Sequence, residues 1–191
     1  NTTDMPRCGL YNIEEETEEW FGSNEYEEYP VSFLPDGSGF LAFRIKNAAW
    51  IPILYKMDGS SKQLDLKEGV CAFPYSGAAG VFLDDDTFIT SYTKSTRRKE
   101  LYTYNLENDQ KEVLLEAEYG DIDPDEFVES EYITYESIDS LEIGALLYDS
   151  EERPSPVVVH VHGGPHAQSM KRFDIYAQFL ASRGYTVLQP N

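Results

Sequence analysis

The residues best suited to chemistry lie between Val157 and His166, in the run VVVHVHGGPH. Three valines lead into alternating His160, Val161 and His162, and Gly163-Gly164-Pro165 then stops the alternation. This is the pattern of a buried strand that ends in a glycine turn. Neither glycine has a Cβ, so both amides can lie open toward a ligand, which is how an anion or a developing oxyanion is held. Acyl transfer on serine would also need a nucleophile on a sharp strand-to-helix turn, a histidine base, an orienting acid and a second oxyanion donor. No GxSxG occurs: Gly22-Ser23, Gly37-Ser38-Gly39 and Gly59-Ser60 read as turns in the first half of the chain. His160, His162 and His166 also invite a metal reading, because HxH places two imidazoles on one strand face. Zinc hydrolase sites add a nearby carboxylate, however, and here Gly-Gly-Pro follows, with Asp174 the first acid afterwards. Neither a metal nor any other cofactor is expected.

The elements that must position this turn are short. Arg172 to Arg183 places Phe173, Tyr176, Ala177 and Leu180 at helical spacing, with Gly184 as C-terminal cap, and Tyr185 to Leu188 begins another strand. Strand, helix, strand is one crossover of a parallel sheet. Upstream, Ile133-Thr134-Tyr135, a polar turn at Asp139-Ser140 and Leu141 to Tyr148 predict an antiparallel entry into that sheet, set apart from the valine run by Pro154 and Pro156.

HGGP after an apolar strand, followed by a helix and then by Arg183-Gly184-Tyr185-Thr186-Val187-Leu188-Gln189-Pro190-Asn191, resembles the prolyl oligopeptidase family of serine peptidases. Within it, the acylaminoacyl-peptidase and dipeptidyl-peptidase-like branch is most similar. The resemblance implies that residues 128–191 open an α/β-hydrolase domain. It also implies that the backbone around Gly163 and Gly164 supplies one oxyanion donor, the residue after the serine the other. The triad Ser, Asp and His would lie beyond Asn191, so none of the three histidines is its base. His162 stands where some relatives carry a tyrosine whose hydroxyl donates to the oxyanion. An imidazole N–H doing part of that work and a strand histidine hydrogen-bonded within the domain are the two readings of it. The candidate site is therefore His162, Gly163 and Gly164.

Three segments in the first half share a strand, polar turn, strand pattern. Leu10-Tyr11, Leu54-Tyr55 and Leu101-Tyr102 open them, at intervals of 44 and 47 residues, inside the range of about 40 to 50 typical of propeller blades. Between them, Phe33 to Phe43 corresponds to Phe82 to Thr90, each a tight Asp/Gly-type turn feeding an alternating apolar strand. Residues 1–127 are thus expected to be the C-terminal blades of a β-propeller followed by an acidic connector, with a generic antiparallel sheet as the alternative. Tyr92, Arg97, Arg98, Tyr102 and Tyr104 could line a channel, against ordinary strand aromatics and a solvated loop. The connector from Glu107 to Glu131 reads as solvated. Its Asp121, Asp123 and Asp125 have the first spacings of a calcium loop, but Glu126 and Tyr132 stand where that loop needs glycine and a bidentate acid.

Composition narrows the partners. With 15 basic and 35 acidic residues the formal charge is −20, which repels nucleic-acid phosphate and anionic membrane surfaces. It suits either an ordinary acidic protein or one adapted to high salt. Cys8 and Cys71, far apart and outside any CxxC, indicate neither a disulfide framework nor zinc, and read as small core residues. No apolar run reaches membrane-span length and no signal-peptide pattern is present, so a cytoplasmic protein is expected. The combined expectation is a β-propeller fragment followed by the first part of an α/β-hydrolase, from a serine exopeptidase or oligopeptidase acting on short peptides near their N-terminus. Lacking the nucleophile, the chain by itself should be inactive. A propeller-based binding or scaffold protein with a vestigial tail, or an esterase, is the alternative.

Overall fold

The computed structural model describes residues 5–66, 68–71, 81–151, 153–164 and 166–191. Among these residues the chain is nearly all β with one short α-helix, and no helix is long and apolar enough to cross a membrane. The chain divides into two compact units, Asn1–Tyr92 with Leu101–Leu115, and Thr93–Glu100 with Glu116–Asn191.

Hairpins build the first unit. β1 (Gly9–Asn12) turns back as β2 (Thr17–Trp20). β3 (Glu28–Phe33), β4 (Gly39–Lys46), β5 (Ala49–Lys56) and β6 (Ser61–Gln63) follow as an antiparallel meander. β7 (Val70–Cys71), β8 (Val81–Phe82), β9 (Thr87–Lys94), β10 (Arg97–Asn105) and β11 (Lys111–Leu115) extend the sheet. Each Leu-Tyr segment leads into a hairpin turn, β1 into β2, β5 into β6 and β10 into β11, as the repeat predicts; the paired second signals are the β3–β4 and β8–β9 turns. The cause is local. Every one of these five turns holds an Asn or Asp whose Oδ1 accepts a backbone N–H two residues on: Asn12 from Glu14, Asp36 from Ser38, Asp58 from Ser60, Asp84 from Asp86 and Asn105 from Glu107. Such a side chain replaces a backbone acceptor and bends the chain where it stands.

Two details depart from a plain alternating, antiparallel first half. β5 and β7 meet in parallel at Trp50 and Val70. β4 and β5 are buried almost without interruption, Gly39 to Phe43 and Ala49 to Tyr55, because both of their faces are covered. One face carries Cys8, Phe21, Phe40, Ala42 and Tyr55, where the Phe21 ring meets Phe40 edge-on at 5.0 Å. The buried Glu28 carboxylate closes it, accepting from Arg44 Nε at 2.6 Å and from the Tyr55 hydroxyl at 2.8 Å. Cys8 and Cys71 are buried free thiols, both pushed up by burial, Cys8 to about 12. Tyr104 is a buried core residue whose hydroxyl donates to Asp109 and accepts from Asp65 N–H, and Tyr92 packs edge-on to Tyr102.

The second unit carries a sheet of β12 (Glu131–Glu136), β13 (Glu142–Tyr148), β14 (Val157–Val159) and β15 (Thr186–Pro190), in the order β12-β13-β15-β14. β12, β13 and β15 pair antiparallel, β14 and β15 parallel, and α1 (Ile175–Ala181) lies between these last two in the chain. The valine run is not the buried strand expected of it. β14 is three residues long at the sheet edge, and Val157, Val159 and Val161 are 62%, 58% and 65% exposed. α1 is likewise shorter than its pattern: Asp174 caps it at Tyr176 and Ala177 N–H. It ends where Tyr185 N–H returns to Leu180 C=O and Gly184 N–H, at φ 81°, to Ala181 C=O, a Schellman closure. The helix buries Ala177, Gln178 and Ala181, while Ile175, Tyr176 and Phe179 face outward.

The acidic connector is largely exposed, as its solvated reading expects, and it is also tethered. Asp123 caps a 3₁₀ turn at Pro124–Glu126, Asp125 pairs with Arg97 at 3.1 Å, and Phe127 packs edge-on against Phe173 at 4.9 Å. Glu129 accepts from Ser95, Thr96 and Lys94. The buried Gln178 amide donates to Ser95 C=O and Val128 C=O, both at 2.8 Å, and accepts from Val128 N–H at 2.9 Å.

Candidate functional site

The glycine turn stands at the carboxyl end of β14. The parallel ladder runs one residue past the strand, His160 N–H donating to Leu188 C=O at 2.8 Å, and the chain then leaves the sheet through His162 and Gly163. Gly164 sits at φ 75°, in the left-handed region, and its carbonyl accepts from Ala167 N–H at 3.0 Å, closing the turn; Pro165 lies outside the described residues. A Cβ built on Gly163 or Gly164 would meet no atom of the described residues within 4 Å. The turn therefore needs glycine at 164 for its backbone and leaves space where a ligand can approach.

Beside it lies a cavity of about 270 Å³ bordered by His160, His162, Gly163, Arg172, Asp174 and Gln189. Of the three candidates, the structure brings His162 and Gly163 to this cavity, while Gly164 shapes the turn without lining it. His162 Nδ1 lies 3.3 Å from the carbonyl of its own neighbour Gly163, a local contact that leaves the ring partly exposed. His160 is held more firmly. Its Nδ1 is 3.1 Å from Nε2 of Gln189, and the same Gln189 nitrogen is 2.8 Å from Asp174 Oδ2, while Asp174 Oδ1 caps α1. His166 lies outside the cavity, and among the described residues no three metal-ligating side chains converge.

Sequence reasoning treats Asp174 only as a distant acid and passes over Gln189. Both leave signals. Asp174 directly precedes the first helical residue, the N-cap position, and Gln189 occupies the buried phase of β15 with Val187, where an apolar residue is the rule. A second cavity, about 380 Å³, lies among the hairpin turns of the first unit, but its Asp36 is engaged by its own turn, with Ser38 N–H holding its carboxyl below the ordinary range.

No family model matches the chain. Solved structures do. It superposes on the dipeptidyl peptidase 4 of Porphyromonas gingivalis with a TM-score of 0.74 at 15% identity, over 97% of this chain and 27% of that one. A puromycin-hydrolyzing peptidase of Mycobacterium tuberculosis gives 0.74 at 16%, over 92% of this chain and 28% of that one. An acylaminoacyl peptidase of Pyrococcus horikoshii gives 0.69 at 20%, over 97% and 28%. These neighbours are peptidases of the prolyl oligopeptidase family, the family that HGGP and RGYTVLQPN resemble, and the chain shares the fold of the stretch it covers, little more than a quarter of their length.

Proposed function

We propose that this chain is the junction region of a serine peptidase of the prolyl oligopeptidase type, which removes short units from peptide N-termini. Residues 1–127 are its last propeller blades with their connector, and residues 128–191 the opening of its α/β-hydrolase domain. The observation that carries the reading is the open glycine turn at the carboxyl end of a strand in a parallel pair, beside a polar cavity. Crevices outside the carboxyl ends of parallel strands are where α/β sheets bind ligands. In this reading a backbone amide of Gly163 or Gly164 donates to the oxyanion, the His162 ring borders it, and the nucleophile, acid and base come from other parts of the parent protein. Exposed Val157, Val159, Ile175 and Phe179 support it, since an edge strand and a helix with apolar outer faces are completed by further sheet and helix. The meanders support the propeller half, which would admit short peptides through a narrow channel and exclude folded proteins.

The test uses the complete reading frame that contains this chain and an N-terminally blocked chromogenic amide. Expected is turnover abolished stoichiometrically by a serine-directed phosphonate, and none from the 191-residue chain alone, where only binding and oxyanion groups are present. A folded parent that neither turns over nor takes the phosphonate overturns the reading and favours a scaffold; turnover confined to esters favours an esterase.

A further inference from the structure

The link from Asp174 through Gln189 to His160 is not required by an oxyanion turn, yet it occupies a buried side chain. Gln189 is 4% exposed, and its Nε2 bridges two acceptors, Asp174 Oδ2 at 2.8 Å and His160 Nδ1 at 3.1 Å. A carboxylate only accepts hydrogen bonds, so it dictates which way the glutamine amide points: the reverse orientation would press the amide oxygen against Oδ2 at 2.8 Å. With Nε2 so placed, one of its hydrogens goes to Asp174 and the other to His160. Nδ1 of His160 must then be the acceptor, which puts the proton of the neutral ring on Nε2. The backbone bond from His160 N–H to Leu188 C=O fixes the ring's root, and the side chain is 42% exposed beside the cavity that Gly163 and His162 border.

We propose that His160 is a substrate-binding hydrogen-bond donor in this cleft, its Nε2–H tautomer selected by Gln189 and, through Gln189, by the helix-capping Asp174. The ligand it recognises is a carbonyl oxygen of a peptide. Gln189 and Asp174 are positioning residues. The role toward peptide rests on the peptidase reading above; the tautomer does not.

Asp174→Asn is the discriminating variant, because asparagine caps helices as well as aspartate but can present an N–H₂ where Oδ2 stood. Gln189 must then turn its oxygen toward the new side-chain amide or lose the bond, and His160 loses its donor at Nδ1. In the full-length protein with ¹⁵N-labelled histidine, long-range proton–nitrogen spectra, assigned by loss of the signal in His160→Phe, should show an Nε2–H ring in the wild type. They should show a ring shifted toward Nδ1–H in Asp174→Asn, and an unbiased mixture in Gln189→Met, which keeps the side-chain volume without a donor. Adding N-acetyl-alanyl-alanine amide should move the wild-type Nε2 resonance, and kcat/KM on the blocked chromogenic amide should fall about fivefold in His160→Phe and in Asp174→Asn, the size of one neutral hydrogen bond. An Nδ1–H ring in the wild type, or a tautomer indifferent to Asp174→Asn in a folded protein, overturns the relay. An Nε2 signal unmoved by the amide, with undiminished turnover in His160→Phe, overturns the binding role. Absence of any turnover in the wild type overturns the peptidase reading alone, and the spectra still decide the tautomer.

Discussion

At Gly164, sequence and structure agree on the residue, and the structure supplies the backbone reason for it. GGP predicts a turn, and the turn is there, but glycine is needed for a φ of 75° and not for space, since no described atom lies within 4 Å of an added Cβ. A β-branched residue held in the left-handed region costs about 1–2 kcal/mol, and asparagine much less. On the proposed peptidase reading, Gly164→Val in the full-length protein should lower kcat by roughly two to three powers of ten, the loss of one oxyanion donor, while Gly164→Asn keeps most of the activity and His162→Ala costs less than Gly164→Val. Near-normal kcat in a folded Gly164→Val protein would reduce the turn to a structural role. A second residue-scale effect concerns Tyr55 and Tyr104. Burial first, then hydrogen bonds to Glu28 and Asp109, pushes both phenols up to about 12. A group whose folded pKa is raised contributes stability in full below its unfolded value, near 10 for tyrosine, and loses it as pH rises through the folded one. Unfolding should accordingly set in between about pH 10 and 12, with tyrosinate absorbance and circular dichroism changing together; ionisation of all tyrosines near pH 10 in an intact fold contradicts it.

At the scale of elements, the hairpins and the existence of the helix with its Gly184 end were legible, while the helix's short extent and what anchors it were not. Asn12, Asp36, Asp58, Asp84 and Asn105 act through bonds spanning two residues, so the sequence next to each turn contains its cause. α1 depends on distant partners. Its buried Gln178 serves Ser95 and Val128, 83 and 50 residues away, and a buried amide at that position reads from sequence as an ordinary polar residue. Gln178→Leu keeps the volume and strands the Ser95 and Val128 carbonyls and the Val128 N–H, so it should destabilise the second unit by about 2–4 kcal/mol. The check is a urea titration that compares it with Ser182→Ala, at the exposed end of the same helix; equal midpoints would show that the clamp contributes nothing.

For the molecule as a whole, the net charge of −20 predicts self-repulsion that salt relieves. Raising ionic strength from about 0.01 M to 0.15 M shortens the screening length from roughly 30 Å to 8 Å, and the thermal midpoint should rise over that interval. A midpoint that falls on adding salt would mean that local ion pairs such as Lys62 with Asp109 and Arg97 with Asp125 outweigh the global repulsion.

What the sequence determined by itself is whatever acts over a few residues: the five hairpins, the glycine turn, the antiparallel entry at Tyr132 to Tyr148 and the Schellman end at Gly184. Spacing also marked the three Leu-Tyr segments, 44 and 47 residues apart, each of which leads into a hairpin. The tertiary structure alone decided that β14 is a short, half-exposed edge, since strand order is not written in a strand's own residues. It alone joined Asp174, Gln189 and His160, because a hydrogen bond between residues 15 and 29 positions apart exists only after helix and sheet have packed.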